Sequence, residues 1–277
     1  MSNKIITPEY RNVILNILSS LSNEALIDSI KEPIIRVNKN RDIIVVGVTK
    51  KIKVLTVLTD SGGRYVPGNE IVFEIYILRS LSGVWILSDM AQEKGYLLNV
   101  SMNDGMLAIG VIFNTQAKVI LHSLYDARLL TSSCIYDPNL SEGKGISSFG
   151  SSISISRDSK KIYISDPIGT ELHNHHDLRG RLIKNPGVVY EWSNIEISGY
   201  RITRIFSLTN KYLEDKNHIG LGCKLELKNN DNTLCMTCFD GSVFSYILNQ
   251  PKDVEFDYSE NNPKVCYIDD LVEINNV

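Results

Sequence analysis

The amino-acid sequence predicts an all-β protein built from repeated, four-stranded antiparallel units. From Pro33 onward, apolar and polar residues alternate with the period of two that is typical of half-buried strands. The alternating segments are short, and polar turns rich in Asn, Asp, Ser and Gly separate them. With 277 residues, of which 43% are hydrophobic, the chain is long enough to bury a large core of this kind.

The order strand, polar turn, strand, strand recurs four times along the chain. The predicted first strands are 34–37, 96–100, 151–156 and 223–227, and the second strands begin near Asp42, Gly105, Lys161 and Thr233. The predicted fourth strands are 71–78, 129–136, 201–208 and 265–268. Self-similarity at a period of tens of residues predicts a β-propeller of four-stranded blades. We expect four blades, or five if 83–87 belongs to a degenerate unit.

Burial explains why such units must pack together. A single four-stranded meander exposes two faces and is not stable alone, whereas neighbouring blades cover both faces. The second strands should therefore be apolar and buried. The residues that the repeat alignment predicts in the core are Ile44, Ile109, Ile164 and Met236.

Residues 1–31 are predicted to form a helical segment that precedes a propeller domain at 32–277. Thr7, Pro8 and Glu9 suit the start of a helix. The apolar residues that follow have the spacing of an amphipathic helix: Tyr10, Val13, Ile14, Ile17, Leu18 and Leu21. This stripe either packs on its own domain or docks on a protein partner or a second copy of the chain.

One segment, residues 149–192, also resembles a known repeat. It opens with Phe149-Gly150-Ser151-Ser152, continues with alternating strands to Asp166-Pro167, and closes with Gly187-Val188-Val189-Tyr190. This order resembles one FG-GAP repeat, the blade unit of integrin-α-type β-propellers, over about one blade. The resemblance implies a propeller fold, although family members usually close with seven blades, which this chain is too short to supply.

The resemblance does not extend to a calcium site. The family's calcium loop corresponds here to residues 157–160, which hold one carboxylate, Asp158, between flanking cations. Calcium takes six to eight oxygen ligands, several of them from carboxylates. We therefore predict neither a bound metal nor a cofactor.

The cysteine pattern and the N-terminus favour a reducing compartment. The five cysteines are odd in number and irregularly spaced, and the chain starts without the pattern of a signal peptide. No apolar run is long enough to span a bilayer. We expect a cytoplasmic or virion location, with Cys235 and Cys238 as buried core thiols rather than metal ligands.

The most polar loop of the best repeat is the first candidate binding site. It contains His173, His175, His176 and Asp177, side chains that can bind zinc or nickel, although its composition also fits a solvated loop. The sequence lacks the common catalytic motifs. Five aspartates near predicted strand ends are interpreted as turn residues rather than a glycosidase pair: Asp89, Asp126, Asp137, Asp166 and Asp269.

These observations favour a non-catalytic β-propeller that acts as a structural or protein-interaction module. The alternatives are a carbohydrate- or ligand-binding propeller and, less favoured, a glycoside hydrolase. A net charge of −3 without a basic block argues against nucleic-acid binding. A composition rich in Ile, Asn, Ser and Lys, together with the FG-GAP resemblance, suits a component of a larger assembly such as a virion.

Overall fold

A computed structural model describes residues 32–58, 64–138, 147–168, 187–195, 199–208, 220–248 and 264–268. The predicted N-terminal helix, the histidine loop and Asp269 lie outside these ranges. Within them, no helix has the length and hydrophobicity of a membrane span. The described residues form strands arranged in four sheets, which confirms the all-β prediction.

Sheets I and II each contain four antiparallel strands in chain order. The strands of sheet I are β1 (Ile34–Val37), β2 (Ile43–Leu58), β3 (Arg64–Leu81) and β4 (Val84–Lys94). The strands of sheet II are β5 (Tyr96–Met102), β6 (Met106–Phe113), β7 (Gln116–Tyr125) and β8 (Arg128–Tyr136). Sheet II therefore matches the predicted second unit.

Sheets III and IV divide the remaining strands unequally. Sheet III contains β9 (Ile153–Ile155), β10 (Lys161–Asp166), β11 (Val188–Ile195), β12 (Gly199–Leu208) and, beside β12, the parallel strand β16 (Lys264–Ile268). Sheet IV contains β13 (Lys224–Lys228), β14 (Thr233–Thr237) and β15 (Val243–Ile247). The prediction that 265–268 is the fourth strand of the fourth unit is wrong. A long connection follows β15, so chain proximity does not force β16 to pair with it.

Sheet I also differs from the prediction. The stretch around Lys50 and Lys51 contains no turn residue, so β2 runs without a break from Ile43 to Leu58. The prediction that 71–78 is the fourth strand is wrong, because these residues lie within β3, the third strand of the sheet. Ser82 and Gly83 then form a two-residue turn with φ angles of 51° and 82°, the left-handed conformation that tight hairpins require. Residues 84–87 thus belong to the fourth strand of sheet I, and the alternative of a fifth unit is wrong.

Neighbouring sheets pack through their first strands and their apolar faces. β5 lies beside β1 and β9, and β13 lies beside β9; among the described residues no comparable packing joins β1 to β13. Separate apolar cores fill the spaces between sheets I and II, II and III, and III and IV. Ile44, Ile109, Ile164 and Met236 are at most 1% exposed, which confirms their predicted burial.

Two glycines allow sheets II and III to approach closely. A Cβ atom on Gly110 of β6 would lie 2.2 Å from the carbonyl oxygen of Gly150. Gly150 itself has a φ of 87°, a conformation that L-residues with a side chain rarely adopt. The backbones are therefore in contact at this point, just before β9 begins.

Candidate protein-interaction site

The outer edge of sheet I carries the largest run of exposed apolar side chains that we find among the described residues. We call the following group the β4 edge: Leu81, Val84, Ile86, Leu87 and Met90, whose exposed fractions are 46%, 63%, 42%, 39% and 50%. Large apolar patches of this kind on a protein surface often mark protein-binding sites.

The local backbone places these side chains on both faces of the strand. Val84 pairs with Leu81 and Ile86 with Arg79, on the side of sheet I that faces sheet II. A β-bulge then leaves Ser88 without a partner in β3, so Leu87 pairs with Leu78 and Met90 with Tyr76 on the opposite side. The apolar surface therefore wraps around the strand.

The backbone of β4 is also open on one side. β4 is a terminal strand of sheet I, and no described strand pairs with its outer edge. Natural edge strands are usually protected by charged residues, but residues 84–88 contain none. Asp89 fixes the strand in place, because its carboxylate accepts hydrogen bonds from the Leu129 and Met90 amides, both at 2.8 Å. An extended segment could add to this edge.

A second candidate surface is a cleft of about 560 Å³ between β8 and the β11–β12 pair. Its walls include Tyr136, Trp192 and Tyr200, together with Cys134 and Asp137. Burial raises the pKa of Tyr200 to about 12, so its hydroxyl stays protonated and donates to the Ser159 carbonyl at 2.5 Å. Aromatic walls with a nearby carboxylate suit a small ring-shaped ligand.

The hairpin turns at one end of the first strands form a third polar surface. The Asn38 side chain donates to Asp104 at 3.3 Å, and Asn103 donates to the Ser156 carbonyl at 2.7 Å. The Arg157 amide donates to Asp231 at 2.6 Å. Each of these hydrogen bonds joins one unit to the next. The polar groups are thus occupied in holding the sheets together.

A buried charged cluster lies within sheet III. The carboxylate of Glu191, 1% exposed, accepts hydrogen bonds from Tyr163 and Thr203, both at 2.9 Å. Arg204 and Lys161 each lie 3.6 Å from the same carboxylate. Burial, with the neighbouring Glu191 charge, raises the pKa of Tyr163 far above its usual value, so it remains a donor. Because the carboxylate is enclosed, the cluster has the character of a structural network.

The residues that the sequence analysis singled out as candidate site residues lie in different surroundings in the structure. The interpretation of the aspartates as turn residues holds for Asp126, which lies in the β7–β8 turn and pairs with Arg79, but it is wrong for Asp89, which lies within β4 and accepts a hydrogen bond from Leu129. Asp137 follows β8 and accepts from Ser147, and Asp166 ends β10 and accepts from Ser148. No group of three or more His, Cys, Asp or Glu side chains in the described ranges is arranged to hold a metal. Cys235 and Cys238 are buried, as predicted.

Sequence reasoning missed both the β4 edge and the aromatic cleft. The edge had a signal, the uncharged run Val84-Trp85-Ile86-Leu87, but the sequence analysis considered this run only as part of a possible fifth unit. The cleft had none, since its aromatic residues are distant in sequence and meet only because β8 and β12 are neighbours in space.

No protein-family model matches the sequence, and no curated protein shows a significant match. Among solved structures, the crystal structure of Kluyvelomyces marxianus Hsv2 is similar to 80% of this chain and 78% of that chain, at 7% sequence identity and a TM-score of 0.35. A likeness at this level supports no argument about fold or function.

Proposed function

We propose that the chain is a non-catalytic, propeller-type β protein that serves as a protein-interaction module within a larger assembly, such as a virion. The side-by-side order of β1, β5, β9 and β13 supports the propeller-type arrangement, because first strands line the axis of a propeller. The hydrogen bonds between successive hairpin turns support it as well.

The single observation that carries the interaction role is the β4 edge. Four large apolar side chains of β4 and Leu81 at the end of β3 are at least 39% exposed there, and the outer backbone groups of β4 have no described strand partner. Covering these side chains with a partner stabilises the complex by about 25 cal/mol for each Å² of apolar surface that is removed from water. The partner that fits is an extended protein segment with apolar side chains, from a second copy or another protein. The predicted N-terminal helix is a further candidate contact.

Charge substitutions on one strand test this role. Leu87→Lys introduces a cation at the β4 edge, whereas Gln92→Lys introduces the same cation at an exposed polar position of the same strand. Light scattering across a concentration series reports self-association, and affinity capture from the native source reports partner binding. We expect Leu87→Lys to weaken one of these and Gln92→Lys to leave both intact. Identical behaviour of the wild type and both variants would contradict the proposal.

The aromatic cleft favours ligand binding as a second candidate function. Tyr136, Trp192 and Tyr200 could stack against a sugar ring. A carbohydrate-binding propeller with repeated sites would carry one site in the equivalent loop of each blade. The aromatic cleft instead lies between two sheets.

Intrinsic fluorescence tests the cleft directly. The chain has two tryptophans, so Trp85→Phe leaves Trp192 as the only reporter. Titration with neutral oligosaccharides of glucose and of N-acetylglucosamine should shift its emission, and Tyr136→Ala should remove the response. Tyr125→Ala is the control, because Tyr125 is 73% exposed and is not among the residues that line the cleft. An unchanged emission with every sugar rejects this candidate.

A further inference from the structure

A buried histidine lies where the outer strands of sheets I and II meet. His122 on β7 is 9% exposed and pairs with Leu107 on β6, which belongs to the apolar core between the two sheets. Side chains that pair across antiparallel strands lie on the same face, so the imidazole of His122 points from sheet II towards sheet I. We call this contact the outer seam; its polar members are Asp89, Glu93, Lys118, His122 and the amide of Leu129.

Two carboxylates of β4 face the histidine. Asp89 and Glu93 each pair with a β3 residue of the same core, so both side chains point towards sheet II. Their charges act on His122, and Glu93 acts more strongly than Asp89. On the same strand as His122, Lys118 places its ammonium 3.9 Å from the Glu93 carboxylate. The residues that pair with His122 from β6 and β8 are uncharged.

The buried end of the imidazole offers nothing to compensate a positive charge. Nδ1 of His122 is buried without a hydrogen-bond partner in the described part of the chain. In the neutral ring this atom is one unsatisfied polar group, whereas the imidazolium would bury a charged N–H donor that has no acceptor. Burial therefore lowers the pKa of His122, although Glu93 and Asp89 oppose the shift. The packed seam thus favours the neutral ring.

Asp89 fastens the outer strand of sheet I to that of sheet II. One carboxylate oxygen accepts a hydrogen bond from the Met90 amide of its own strand, and the other accepts from the Leu129 amide of β8, both at 2.8 Å. β4 and β8 are not paired as strands, so this side chain bridges a gap between two sheets. At the β7–β8 turn, the ion pair of Arg79 with Asp126 is a further link between the sheets. The Leu129 amide therefore reports whether the outer seam is closed.

We propose that the outer seam is an acid-sensitive contact, which is closed while His122 is neutral and opens when His122 is protonated. Opening lets water reach the imidazolium and breaks the hydrogen bond from the Leu129 amide to Asp89. The outer strands of the two sheets then move apart. The first strands β1 and β5 stay side by side, because other contacts hold them, such as the hydrogen bond from Arg36 to Asn99 at 3.0 Å.

The pH range of the change follows from the direction of the shift. In the open state the solvated imidazole titrates near its ordinary pKa of 6.5, and in the closed state it titrates below that value. The closed state is therefore fully favoured above this pKa. As the pH falls below it, the ratio of open to closed molecules rises by at most about tenfold for each pH unit, because one proton is taken up. The rise ends once the pH passes the lowered pKa of the closed state.

Native-state hydrogen exchange in the full-length protein tests the contact. The exchange rate of the Leu129 amide, divided by its intrinsic rate at each pH, measures opening. Between about pH 8 and pH 5, its protection should fall several-fold or more in the wild type and stay nearly constant in His122→Gln. The control is the Leu248 amide, which donates to Asn232 in sheet IV at 2.8 Å and should keep its protection.

Two results would overturn the proposal. Equal pH dependence at Leu129 in the wild type and in His122→Gln would show that the imidazole does not control the seam. An equal loss of protection at Leu248 would show global unfolding instead of local opening.

A second variant keeps the histidine, because substitution of a buried residue can itself disturb packing. Glu93→Gln removes a charge that favours the imidazolium in the closed seam and leaves the bridge from Asp89 to Leu129 in place. The closed-state pKa of His122 should then fall further, so protection at Leu129 should drop more between about pH 8 and pH 5 than in the wild type. An equal or smaller drop contradicts the proposal. The inference concerns a contact within one chain, so it does not rest on the proposed partner of the β4 edge.

Discussion

The contact between Gly110 and Gly150 gives a sharp test of how sheets II and III pack. In a Gly110→Ala variant, the new Cβ would lie 2.2 Å from the Gly150 carbonyl oxygen and 3.0 Å from its carbonyl carbon. Ordinary contacts of this kind are longer than about 3.4 Å, so one backbone must move by about 1 Å. Neither glycine has a flexible side chain that could move instead.

The expected cost follows from that displacement. Inserting a methyl group into a well-packed interior costs about 1–3 kcal/mol, and a clash between two backbones belongs at the upper end of this range. For a chain of this size, 1 kcal/mol lowers the Tm by about 2–4 °C. We therefore expect Gly110→Ala to lower the free energy of unfolding by about 3 kcal/mol and the Tm by at least about 6 °C.

A second glycine in the same hairpin provides the control. A Cβ on Gly105 would meet nothing closer than the Ser159 hydroxyl at 3.6 Å, an ordinary contact distance. Gly105→Ala should therefore shift the Tm by about 1 °C or less. Urea and thermal denaturation, followed by circular dichroism, measure both variants. If Gly110→Ala is as stable as Gly105→Ala, the described approach of sheet III to sheet II at this point is incorrect.

Three other properties can be tested in the same denaturation assays. Replacing Ile44, Ile109, Ile164 or Met236 with Ala should lower the free energy of unfolding by about 2–4 kcal/mol each, through lost burial and cavity formation; exposed positions would give much smaller losses. Burial lowers the pKa of His122, although Glu93 and Asp89 oppose the shift, so the unfolded chain binds the proton more readily. The contribution of neutral His122 to the free energy of unfolding should be fully present above the ordinary pKa of 6.5 and should be lost as the pH drops below it. His122→Gln should make the free energy of unfolding less dependent on pH in this range. An equal pH dependence in the variant and the wild type would contradict the assignment. Calcium should leave the Tm unchanged relative to EDTA, because the hairpin turns offer too few carboxylates; a rise of several degrees would show a missed site.

The sequence by itself determined much of the strand pattern. In sheets II and III, alternation with a period of two and short polar turns located the strands to within a few residues, because both signals are local to the chain. The same alternation identified the buried residues Ile109 and Ile164. In sheet I, the sequence did not show where one strand ends and the next begins. β2 continues beyond Val48 because it pairs with β3 there, and not because of a pattern in its own residues.

Only the tertiary structure decided which strands are neighbours and which surfaces stay open. The segment 264–268 looks like a fourth strand for sheet IV, yet it pairs with β12, because a long connection allows either partner. Val84 and Leu87 have the composition of a core strand, and they are exposed because β4 lies at the end of sheet I. Likewise, Tyr136 and Trp192 share a cleft through the packing of separate sheets. Apolar composition shows that a strand can be buried, but burial itself depends on what distant parts of the chain place against it.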